Sequence, residues 1–162
     1  MIHTPDIAGM AAPVSVSRCF DAPVINTVVN HPEVLPGLGL GMSDLDVTPI
    51  IDNPRNIILM GLFGGAMFVW TGPGVYEAHD FFLPEGRGKW ALKVSRLMLS
   101  LMFSTYGAWM IWAQTPVDNR ACRFFNRRLG FVSQGKDRAV LLPGHPAQEV
   151  EIFVLKGGDP CL

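Results

Sequence analysis

Charge is scarce in this sequence. Only 17% of its 162 residues are Asp, Glu, Lys or Arg, and the formal net charge is −1. So sparse and balanced a set offers no bulk attraction to nucleic acid or to an anionic membrane surface. Cysteine is scarce too. The three thiols, Cys19, Cys122 and Cys161, are an odd count without metal-ligand spacing, which points to reduced thiols in a cytoplasmic protein rather than to a disulfide framework or a structural metal. There is no internal repeat and no low-complexity tract, and the N-terminus lacks the basic region and apolar stretch of a secretory signal. Tyrosine occurs only twice, at Tyr76 and Tyr106.

What is abundant is apolar: 49% of the residues are hydrophobic. Two stretches, Asn56 to Tyr76 and Leu97 to Val117, carry no charge at all. Each is long enough for a bilayer, which takes about 20 residues. Both are interrupted, the first by Gly64-Gly65 and Thr71-Gly72-Pro73-Gly74, the second by Ser100, Ser104, Thr105, Gly107, Gln114 and Pro116. They read as strand and helix pieces of a buried core, not as membrane spans. The length fits one domain over 1–162, with fraying expected at 1–11 and 156–162.

Ala12 to Phe20 suggests a first strand. Asp21 is placed to cap a helix over Ala22 to Asn30, stopped by His31-Pro32. Residues 31–55 are rich in proline and glycine and read as loop with short helical turns, either a substrate-facing segment or an ordinary connection. Ile57 to Phe63, Ala66 to Trp70 and Val75 to Leu83 are three strands of a meander. A helix is expected from Trp90 to Tyr106, with Lys93, Arg96, Ser100 and Ser104 on one wet face and nearly everything else apolar. Ala108 to Thr115 is a buried strand, and strand, helix and strand make a βαβ unit with a parallel pair. Asp118 is the expected cap of a helix over Asn119 to Leu129, in which Arg120, Arg123 and Arg127 face solvent and Ala121, Phe124 and Phe125 face inward. Three closing strands are expected at Phe131 to Gln134, Arg138 to Leu142 and Glu149 to Leu155. The class is therefore α/β (α+β): a mixed, largely antiparallel twisted sheet with a central parallel βαβ unit and helices on both faces.

Two segments carry chemistry. Pro84-Glu85-Gly86-Arg87-Gly88-Lys89-Trp90-Ala91 runs from a strand through a tight turn into a helix. The first turn of a helix has free backbone N–H groups and the positive end of a macrodipole, and glycines let an anion approach the backbone. Charges on a plain tight turn would look the same. The second segment, Asn119 through Gly130-Phe131 (NRACRFFNRRLGF), places an Asn eleven residues before Gly-Phe. Together, in this order and on these elements, the two segments resemble the GNAT superfamily of N-acetyltransferases, over roughly residues 56–155. "PEGRG" and the segment Asn30-His31-Pro32 are also similar to GNAT-like proteins of tailed phages and prophages.

The resemblance implies an acetyl-CoA site, with the backbone from Gly86 to Ala91 on the pyrophosphate and Arg87, Gly88, Lys89 and Trp90 in the loop. It adds Phe82 and Leu83 from the preceding strand, and Asn119, Phe125 and Asn126 from the late helix. It implies direct attack of an amine on the thioester, the amine belonging to a small molecule or a peptide. Glu77 and His79, two apart and hence on one strand face, are the candidate bases. Asp80 lies between them on the other face. His31 is a weaker candidate, and His3 and His145 read as exposed loop residues. The sequence departs from the family at two places. The family's second loop glycine falls at Trp90, whose ring must leave the loop or crowd it. The tyrosine that protonates the departing thiolate falls at Asn126, and an amide is no acid at neutral pH. Then the thiolate leaves unassisted, another group serves, or the protein is a non-catalytic CoA-binding, structural or virion-associated member of the fold. Cys122 reads as packing rather than a nucleophile. Leu35, Leu38, Leu40 and Met42 fit an acceptor pocket, core, or a homodimer surface.

Overall fold

The computed structural model describes residues 14–38, 43–141 and 144–158. Seven strands form one sheet in the order β1-β2-β3-β4-β5-β7-β6. They are β1 (Ser17–Arg18), β2 (Ile57–Gly61), β3 (Gly64–Gly72), β4 (Val75–Phe82), β5 (Met110–Pro116), β6 (Val132–Ala139) and β7 (Gln148–Lys156). The helices are α1 (Ala22–Val29), the short α2 (Thr48–Ile51), α3 (Lys89–Ser104) and α4 (Arg120–Arg128), with single 3-10 turns at Leu35–Leu38 and Pro84–Gly86. Every pairing is antiparallel except β4 with β5. That is the expected architecture.

The sheet is covered on both faces, so its central strands read as near-continuous apolar runs. Leu59, Phe68 and Tyr76 face α3, whose Val94, Met98, Leu99 and Met102 are at most 3% exposed. Full burial of side chains this size contributes about 1.5–3 kcal/mol each. Lys93, Arg96, Ser100 and Ser104 form the exposed stripe of α3, as their spacing predicts. Ile58, Met67 and Phe81 point the other way, onto Ile25, Val28 and Val29 of α1. Asp21 caps α1 as expected, its carboxylate accepting from the Val24 amide at 3.1 Å.

Three details differ from expectation. The cap of α4 is Asn119, not Asp118: its side chain accepts from the Cys122 amide at 3.1 Å. Both residue types cap well, and the turn from Pro116 fixes which one starts the helix. Residues 132–139 form one strand rather than two, because Gly135 (φ 103°) is a bulge in the ladder with β7, not a turn. Within the expected first strand, only Ser17–Arg18 pairs, and residues 12 and 13 lie outside the described residues. The expected fraying at 1–11 also lies outside them; at the other end Lys156 closes β7 and 159–162 fall outside. Among the described residues no helix is long and apolar enough to cross a membrane.

The feature that positions the site is a split in the sheet. β4 and β5 pair only from Val75 with Met110 to Glu77 with Trp112. Beyond that β5 stays with β7 to Pro116, while β4 stays with β3 to Phe82. The two strands diverge, and the backbone of 78–82 loses its partner on the β5 side.

Candidate active site

A cleft of about 700 Å³ opens over the split. Its walls come from the end of β4, the start of α3, the exposed side of α4 and the turn at 33–38. Of the residues singled out in the sequence, Phe82, Arg87, Gly88, Lys89, Ala91, Asn119 and Phe125 meet there. The volume is in the range of ligand sites, about 300–1,000 Å³.

One end of the cleft is the start of α3. Gly88 precedes the helix with φ 78° and ψ −128°, and no side chain caps it. Such a backbone favours glycine, and a Cβ there would meet nothing within 4 Å, so conformation rather than space requires it. The first turn of α3 thus lines the cleft without a side-chain cap, and Arg87, Lys89 and Arg128 line it too.

Trp90 leaves the loop. Its ring stands edge-on to Phe63 at 5.1 Å and to Phe82 at 6.1 Å, and packs over Gly61 and Gly86. A Cβ on Gly86 would come within 2.4 Å of Phe63, so Gly86 is small to let Trp90 and Phe63 close. Neither Trp90 nor Gly86 lines the cleft, and Leu83 packs against the α1 side of the core. The indole that stands at the glycine position thus stays out of the cleft wall at the start of α3.

Residues 33–38 face the same cleft. Arg87 donates to the Glu33 carbonyl at 2.5 Å, and the Asn119 amide donates to the Gly37 carbonyl at 3.4 Å. Both motif segments thus hold this turn over the cleft. Leu38 lines it, whereas Leu40 and Met42 lie outside the described residues.

α4 presents a different face from the one its pattern suggests. Ala121 and Phe124 line the cleft instead of the core, and Phe124 is 62% exposed with the Arg128 guanidinium 5.9 Å from its ring. Arg123 is not on the solvent face. Its Nε meets Glu151 at 2.5 Å, and Arg127 meets the other oxygen at 2.5 Å. Burial alone would raise the Glu151 carboxyl; the Ser133 hydroxyl, Arg123 and Arg127 outweigh it and hold the group below its ordinary value. An intermediate run of apolar and basic residues left the phase of this helix ambiguous, and a buried acid on β7 resolved it.

Glu77 and His79 share the β4 face opposite Asp80 and do not line the cleft. Gln114 of β5 donates to Glu77 at 2.9 Å across the split, and His79 Nε2 lies 3.6 Å from the same oxygen. His79 is more open than Glu77. His31 instead accepts from the Glu33 amide at 3.2 Å. His145 is exposed, as expected, and His3 lies outside the described residues.

Asn126 is buried, donates to Thr115 at 3.1 Å, and does not line the cleft. It lies at a smaller cavity of about 30 Å³ that it shares with Ser95 and Asp80. Asp80 lines both spaces. Desolvation by burial raises its carboxyl, only partly offset by its own backbone amide and by His79. The Cys122 thiol is pushed up to about 12, first by burial and then by Asp80. It is a thiol, not a thiolate, at physiological pH. Sequence reasoning missed Asp80, Phe124 and Arg128; only the alternation that puts Asp80 on the α3 side was visible.

No protein-family model matches this sequence, and no curated protein matches it. Solved structures do. The spermidine N-acetyltransferase of Vibrio cholerae, in complex with CoA and spermine, superposes with a TM-score of 0.71 at 14% identity over 88% of this chain and 94% of that one. A probable acetyltransferase gives 0.65 at 16% identity over 90% and 96%. The ribosomal-protein-S5-alanine acetyltransferase of Vibrio fischeri gives 0.57 at 13% identity over 70% and 68%. At such identities the likeness is one of fold.

Proposed function

We propose, from the premise that this chain carries the GNAT acetyltransferase fold, that it transfers an acetyl group from acetyl-CoA to a primary amine. The observation that carries the reading is the cleft over the split between β4 and β5, with the uncapped start of α3 at one end. The residues fit the thioester donor. The amides of the first turn of α3 take the pyrophosphate, and Arg87, Lys89 and Arg128 add charge. Phe124 offers an exposed ring for the adenine. Phe82 and Phe125, 6.2 Å apart, form the apolar wall along the pantetheine arm.

Acetyl-CoA supplies an activated carbonyl and a thiol leaving group. The protein's own groups do the rest. The gap side of 78–82 has backbone without a β5 partner, where an N–H can hold the developing oxyanion, an interaction whose loss costs about 10²–10³ in rate. Glu77 and His79, which meet at one carboxylate oxygen, take the proton from the amine on the β4 face opposite Asp80. The acceptor is a small-molecule or peptide amine. The relative solved with spermine shows that this fold admits a polyamine, so spermidine and spermine belong in the first panel.

One observation favours a second reading, a CoA-binding protein without catalysis: buried Asn126, bonded to Thr115, stands where the family has its acid. Two measurements decide. Acetyl-CoA should raise the melting temperature, and thiol should be released on adding an amine. A shift without release over the panel supports the second reading; neither shift nor release refutes both. Release that persists in E77Q/H79A refutes the base assignment alone.

A further inference from the structure

Asn126 cannot give a proton, so an assisted departure of the sulfur needs another group. We propose that Asp80 is that group: its carboxylic acid protonates the CoA thiolate. This rests on the acetyl-transfer reading above. Three placements carry it. Asp80 is on β4, three residues past Glu77, the last one paired with β5, and it lines the cleft. It faces the α3 and α4 side, opposite Glu77 and His79, so acid and base flank the sheet from its two faces. It also lines the cavity of about 30 Å³ shared with Asn126 and Ser95. The Ser95 hydroxyl is buried, with no hydrogen-bond partner among the described residues. That cavity is sized for one water with three polar neighbours, which keeps the acid in contact with a proton source.

The step balances. The amine nitrogen bonds to the thioester carbon, and its proton passes to the Glu77–His79 pair. The tetrahedral adduct then collapses and the C–S bond breaks. The sulfur takes the electron pair and the Asp80 proton, leaving a carboxylate that regains a proton from water. A neutral carboxyl is what this environment favours. β3, β5 and α3 present Ala66, Ala113 and Met98 to the small cavity, none titratable. Cys122 on α4 stays neutral, and His79, next along β4, is the nearest cation when protonated. Glu33, Arg87, Lys89 and Arg128 line the larger cleft.

The test is D80N, compared with wild type in kcat, KM for acetyl-CoA, pH profile and melting temperature. Loss of an acid lowers kcat by about a hundredfold with little change in KM, and removes the fall of kcat at high pH. A merely structural Asp would instead destabilise the fold when replaced. Here burial raises the folded pKa above the unfolded one, so ionisation costs stability as pH rises through the folded value. D80N therefore melts no lower than wild type above that range. In the ligand-free protein, the carboxyl ¹³C signal lost in D80N should be the last aspartate signal to ionise. Full kcat with an unchanged high-pH limb in D80N would overturn the acid while leaving acetyl transfer standing. So would an Asp80 signal that ionises with the other aspartates. A wild type that neither binds acetyl-CoA nor releases thiol would overturn both readings.

Discussion

Phe124 and Cys122 sit two residues apart on α4 and have opposite fates. Phe124 is mostly exposed at the cleft, so it holds a ring in water that an adenine can cover. Stacking of a base on an aromatic side chain is worth about 1–3 kcal/mol. F124A should therefore weaken acetyl-CoA binding by roughly 5- to 100-fold, read by calorimetry, with kcat at saturation within about threefold. Cys122 is half-buried in the wall of the same cleft, with its thiol pushed up to about 12. It should resist alkylation by iodoacetamide at pH 8 in the folded protein and react once unfolded, as mass spectrometry would show. Rapid modification in the native state would contradict the raised thiol. These two residues also mark the limit of the sequence. An Arg-rich helix with three apolar positions accepts more than one phase, and periodicity put Phe124 inside.

At the level of elements, α4 is tied to the edge of the sheet by one carboxylate. Glu151 of β7 is 4% exposed and takes Arg123, Arg127 and Ser133 of β6. Its folded pKa lies below the unfolded one, so its stabilisation is present above the unfolded value and fades as pH falls through the folded value. E151Q should lower stability at neutral pH by about 3 kcal/mol at most, since both arginines keep partial access to water. The gap to wild type should shrink on acidification, which melting curves from neutral to acid pH will show. A gap that widened in acid would rule this linkage out. The strand-to-helix element at 84–91 was legible in full, because a proline, two glycines and an apolar helical repeat lie next to one another. The β6 bulge was not. A glycine inside a strand and a glycine in a turn look alike until a partner strand fixes the register.

At the scale of the molecule, the cleft is assembled from four segments, and two of its tethers cross from the motif segments to the turn at 33–38. If acetyl-CoA fills this cleft, its binding should slow amide exchange in 33–38 and in the first turn of α3 together. β6, on the far edge of the sheet, should be unaffected. Protection confined to the C-terminal half of α3 would place the ligand elsewhere.

The sequence by itself determined most of the elements and the glycine turn that leads into α3. Those depend on local events: caps, turns, and the spacing of apolar residues along one helix or strand. It also put Glu77 with His79, and Asp80 on the opposite face, because a strand alternates. Tertiary structure alone decided what those faces meet. The divergence of β4 from β5 follows from β5 keeping β7 as its partner, a pairing between residues about forty positions apart that no local pattern encodes. Past that divergence the end of β4 lines the cleft through Asp80 and Phe82, and α4 lines it through Phe124 and Arg128. The carboxylate that local alternation only assigned to a face comes to line both the cleft and the small cavity beside it.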